Sequence, residues 1–102
     1  MLSTSDLKAG ALQASQRSDF RESDFEAPLN ALVDALNREG QLNDIGVGFH
    51  SARLTDLLSN RLRMEAWLER HPEILDETIN QPIVVIGLPR TGTTLLLSLI
   101  HI

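Results

Sequence analysis

Residues 83–94 read IVVIGLPRTGTT. Four β-branched apolar residues follow one another without alternation, the pattern of a strand buried on both faces of a parallel sheet. Gly87 then opens a tight turn, and residues 94–102 read as a helix buried nearly all round. A strand that feeds such a turn into a helix aims several unpaired amide protons at one point, and the helix dipole adds about 0.3–1 kcal/mol for an anion held there. Arg90 is the sole formal charge in residues 81–102. An unpaired buried cation is costly, so its expected partner is an anionic ligand. The fold class expected from this stretch is α/β: a P-loop-like three-layer domain of which the chain carries only the N-terminal helices and the first strand, loop and helix.

The spacing of Gly87 and Gly92 and the hydroxyl of Thr94 match the phosphate loop GxxxxGK followed by Ser or Thr, except that Thr93 stands where the lysine belongs. Losing that lysine argues against a nucleoside triphosphatase, in which it reaches the terminal phosphates. The cation has moved to Arg90. A single phosphate that carries a transferable group suits this arrangement, and no metal is called for.

The run of strand, PRTGTT and apolar helix resembles the phosphosulfate-binding loop of sulfotransferases that use 3'-phosphoadenylyl sulfate (PAPS), in particular a bacterial branch with a GLPRTGTT setting. The resemblance covers residues 81–102. It implies that Arg90, Thr91, Gly92, Thr93 and Thr94 bind the 5'-phosphosulfate of PAPS. It further implies that Arg90, at the position of the family's lysine, is the catalytic residue, stabilising charge at the bridging oxygen as the sulfuryl group passes to a hydroxyl or amine of a small-molecule acceptor. The planar guanidinium suits an electrostatic role rather than proton donation. The family's 3'-phosphate site and general base have no counterpart in these 102 residues, so the chain reads as the front of a longer enzyme and is expected to be inactive alone.

Working back from the loop, residues 1–22 form a flexible segment with at most a frayed helix near Leu7, residues 23–80 a helical lead-in, and residues 81–102 the truncated start of the sulfotransferase domain. In the lead-in, Ser23 and Glu26 have capping-box spacing, Leu29, Leu32, Val33 and Leu36 recur at helical intervals, and Gly40 supplies a stop. Residues 40–48 read as a loop. A second amphipathic helix spans residues 51–70, with Leu54, Leu57, Leu58, Leu62, Trp67 and Leu68 on its apolar stripe and Glu65 and Glu69 outside it. His71 and Pro72 end it.

Composition narrows the function. Hydrophobic residues make up 42%, charged residues 23%, and the net charge is −5, which suits an ordinary globular chain and offers no electrostatic attraction for nucleic acid. There is no cysteine, which removes disulfides and thiolate metal sites and fits a cytoplasmic location. His50, His71 and His101 lack metal-ligand spacing. Pro89, Arg90 and the threonines break the C-terminal apolar stretch below the roughly 20 residues of a membrane span. Two rival readings stay open: a helical interaction module with a vestigial phosphate loop, and a fragment of a nucleotide kinase or NTPase. Oligomeric state and acceptor are not legible.

Overall fold

The computed structural model describes residues 1–100, and the expectation for His101 falls outside them. In chain order the elements are α1 (Thr4–Ser15), α2 (Glu26–Glu39), α3 (Asp44–Arg70), a 3-10 turn (Pro72–Asp76) and α4 (Thr93–Ile100). Among the described residues there is no strand. The α/β three-layer expectation is therefore corrected: these residues form helices and extended chain. The physical reason is that a strand exists only through its neighbours. Residues 83–86 have no regular secondary structure and no strand to pair with among the described residues, Ile83 being 84% and Ile86 88% exposed.

The core belongs to α1, α2 and α3. Leu54, Leu58 and Leu62 face Leu7 and Ala11, while Leu29 and Val33 of α2 complete the cluster with Leu2. The segment expected to be frayed thus forms one wall of the core. Ser3 caps α1 by accepting a hydrogen bond from the Asp6 amide at 3.5 Å. Gly10 of α1 lies against Thr55 of α3, where an added methyl group would be in ordinary van der Waals contact at 3.4 Å.

Helix boundaries also differ from the sequence reading. Phe25, not Ser23, stands at the N-cap of α2 and makes no side-chain cap; Ser23 contributes only its carbonyl, to the Glu26 amide at 3.0 Å. Asn43 accepts from the Gly46 amide at 2.8 Å, so α3 starts at Asp44 and absorbs most of the predicted loop, Gly46 and Gly48 included. The predicted end at His71 and Pro72 is where α3 stops.

Long-range polar contacts fasten the three helices. The side chain of Asn37 accepts from the Leu2 amide and donates to the Leu2 carbonyl, both at 2.9 Å. Arg17 grips Glu69 with two guanidinium nitrogens, at 3.0 and 2.7 Å. The hydrogen bond from Arg17 holds the Glu69 carboxyl below the usual carboxylate range. Because that pKa is depressed in the folded state, the pair stabilises the fold above the ordinary glutamate pKa, and its contribution is lost as pH falls through the lowered value. Arg17→Ala is therefore expected to lower Tm at neutral pH but to melt like the parent in strong acid. Thermal melts across pH 2–7 check this, and parallel curves at every pH would refute it.

Candidate functional site

Residues 83–100 combine the predicted ligand loop with a run of exposed apolar side chains. From Pro82 to Leu88 the backbone has no regular secondary structure; it then turns over at Pro89 and Arg90 and enters α4. Arg90 itself takes a left-handed conformation, φ 65°, and Gly92 follows at φ 90°. The Leu96 amide bonds to the Gly92 carbonyl at 3.0 Å, which closes the first turn of α4.

Gly87 is required by a close approach. A Cβ there would lie 2.6 Å from Thr91 Oγ1 and 2.8 Å from Thr93 Cγ2, so both threonines fold back over the glycine. The Thr91 hydroxyl donates to the Leu88 carbonyl at 2.6 Å. Arg90, Gly92, Thr93, Thr94 and Leu95 together line an open hollow of about 280 Å³. Four of the five predicted ligand residues therefore share one surface. The fifth, Thr91, has its hydroxyl proton committed to its own turn. Arg90 is exposed and has no acidic partner within ion-pairing distance among the described residues.

The floor under this loop is missing. In a strand-turn-helix phosphate site the strand is fixed by its sheet, and that rigidity keeps the amides aimed at the anion. Here the extended run has no sheet, and α4 makes no contact with the other helices. The sulfotransferase assignment is corrected on this ground, together with the PAPS donor, the sulfuryl-transfer activity and the P-loop description. The nucleotide kinase alternative depends on the same strand-based core and falls with them. Among the described residues no three His, Asp or Glu side chains come together as a metal site, and no helix is long and apolar enough to cross a membrane.

A second hollow, of about 220 Å³, lies between the loop after α1 and the C-terminal half of α3, lined by Arg21, Glu22, Arg61, Met64, Glu65, Leu68 and Leu75. Glu65, expected outside the apolar stripe, is only 8% exposed. Its Oε2 accepts from the Arg21 amide at 3.1 Å, and its Oε1 faces Arg61 Nε at 3.7 Å. Arg61 also pairs with Asp24 and lies 4.8 Å from the centre of the Phe25 ring. This buried carboxylate is a fastening between α3 and the α1–α2 connection. Trp67, expected in the core stripe, is instead half-exposed and stacks on His71 at 5.2 Å. His71 in turn reaches Glu73 through Nδ1 at 3.2 Å.

Comparison with known protein families, with curated proteins and with solved structures finds none that matches this chain.

Proposed function

We propose that the chain is a helical interaction module in which α1, α2 and α3 form the platform and residues 83–100 are the adhesive segment presented to another polypeptide. One observation carries the reading. Ile83, Val84, Ile86, Leu88, Leu95, Leu96, Leu97, Leu99 and Ile100 are all exposed and take no part in the core. Contiguous apolar surface of this kind marks an interaction site. Each such side chain is worth about 1.5–3 kcal/mol when fully buried, which is the driving force a partner that covers the segment gains.

The form of the segment also suits a polypeptide partner. Its unpaired backbone donors and acceptors fit the addition of a strand to another strand, with main-chain hydrogen bonds for affinity and apolar side chains for contact. In this reading the turn at Arg90–Thr94 joins the extended run to α4 and carries the one charge of the segment.

Removing residues 81–102 tests the division of labour. The truncated chain is expected to keep the helical circular dichroism of α1, α2 and α3, losing only that of α4, and to melt within a few degrees of the parent, because every core residue lies ahead of the deleted segment. Binding of an apolar-surface dye in dilute solution should fall with the loss of the segment. Unfolding on truncation would mean that the segment belongs to the core, and the reading would be lost.

A further inference from the structure

The hollow between the loop after α1 and the C-terminal half of α3 holds a donor and an acceptor that the fold does not use. Glu65 lines it with a side chain only 10% exposed. Its Oε2 accepts from the Arg21 amide, but its Oε1 is buried and makes no hydrogen bond among the described residues. The same holds for Arg61 Nε, 3.7 Å away. That separation keeps the charges paired yet is too long for a hydrogen bond. Buried polar atoms left unbonded are uncommon, and two of opposite kind beside one hollow suit a guest that satisfies both.

We propose that this hollow binds a small aliphatic primary carboxamide. The amide N–H donates to Glu65 Oε1, the carbonyl accepts from Arg61 Nε, and the chain lies on Met64, Leu68 and Leu75. The site belongs to the platform and is independent of residues 83–100.

Geometry selects the head. A primary carboxamide carries its oxygen and nitrogen about 2.2 Å apart on one edge. Two parallel hydrogen bonds of about 2.9 Å then close a ring over a gap of 3.7 Å. Charge excludes the nearest rivals: a carboxylate brings a second negative group against Glu65, and an amine offers nothing to accept from Nε. Both receiving groups are held in place beforehand. Asp24 and the face of Phe25 fix the Arg61 guanidinium, and the Arg21 amide fixes the Glu65 carboxylate.

The walls select the body. A hollow of about 220 Å³ lies below the roughly 300–1,000 Å³ of sites for drug-sized molecules, so the ligand is small. Met64 and Leu75 are 66% and 73% exposed, and with Leu68 they offer apolar cover to a chain longer than the two methylenes of a peptide glutamine. Entry takes a movement of the Met64 side chain, which is unbranched and easily rearranged.

Methyl and arginine Nε–H resonances of the full chain read the binding. Hexanamide is expected to shift the methyls of Met64, Leu68 and Leu75 and the Nε–H of Arg61, leaving Leu2 and Val33 unmoved, with a dissociation constant of about 1 mM for so few non-hydrogen atoms. Hexanoate and hexylamine, which share the chain but not the paired head, should bind at least tenfold more weakly. Equal affinity for all three, or no saturable shift with hexanamide, overturns the proposal. N-acetylglutamine methylamide should also be tenfold weaker, and equal affinity there would overturn the choice of a free molecule over a peptide side chain. Glu65→Gln supplies the sharper test. The new side chain keeps its oxygen on the Arg21 amide and sets its NH₂ beside Arg61 Nε, so two donors face the ligand and the preference should invert to hexanoate. An unchanged order in that variant refutes the assignment, and if the variant does not fold the ranking in the parent chain decides.

Discussion

Leu62→Ala is expected to lower the unfolding free energy by about 2–5 kcal/mol, the range for deleting a large aliphatic side chain from a packed interior. Leu62 is fully buried, at 0% exposure, and sits on the face of α3 that meets Leu7 and Ala11. Its loss removes packing between α3 and α1, the most extensively contacting pair of helices, and leaves a void in a close-packed interior. A small single core has little reserve, since domains of this size are stabilised by only about 5–15 kcal/mol in total. The variant should therefore be partly unfolded at 37 °C. Leu62→Met, which nearly conserves volume, is expected to cost less than about 1.5 kcal/mol. Urea denaturation followed by circular dichroism measures both. A loss below about 1 kcal/mol for Leu62→Ala would mean that the core is not centred on this face of α3.

The second large effect is expected at Arg61. Arg61→Ala should cost about 2–3 kcal/mol, because it strips Glu65 of its cation while the carboxylate stays buried and bonded only to the Arg21 amide. It also removes the contact with Asp24 and the stacking on Phe25. The test of mechanism is the double replacement Arg61→Met with Glu65→Met. If the cost of the single variant comes from an abandoned charge, removing both charges while keeping volume should restore most of the stability. A double variant as unstable as Arg61→Ala would assign the loss to packing against Phe25 instead.

How far the sequence could be read depended on whether the deciding interactions were local. The leucine spacing of α2 and α3 and the stop at His71 and Pro72 are properties of adjacent turns, and they stand in the structure. The start of α3 was legible in principle, because Asn43 is a strong N-cap, yet Gly46 and Gly48 outweighed it in the reading. The N-terminal helix was read only as a frayed one near Leu7, because its fully buried face is small, built on Leu7 and Ala11, rather than a broad apolar stripe. Leu32 of α2 and Leu57 and Trp67 of α3 have core-like spacing but lie partly in solvent, since so small a bundle cannot cover every flank of its helices. Glu65 went the other way, drawn inside by Arg61 and the Arg21 amide, partners that no local pattern reveals.

The sheet was the largest misreading, and its cause is also non-local. Residues 83–86 have every intrinsic preference of a buried strand, but a strand is a relation between segments and these residues have no neighbour to pair with. The glycine turn and the entry into α4 are local and do form, with Gly87 under the two threonines and Arg90 and Gly92 at positive φ. The loop therefore keeps its local shape without the support that its family resemblance implied.

The polar fastenings that join residues far apart in sequence also fix an order of events in folding. Leu2 meets Asn37 across 35 positions, Arg21 meets Glu65 across 44, and Arg17 meets Glu69 across 52. Closing loops of such length costs entropy that only preformed ends can recover, while individual helical turns arise within about a microsecond. The rods come first and the clasps last, so a chain caught midway in refolding should be rich in helix yet still unlatched.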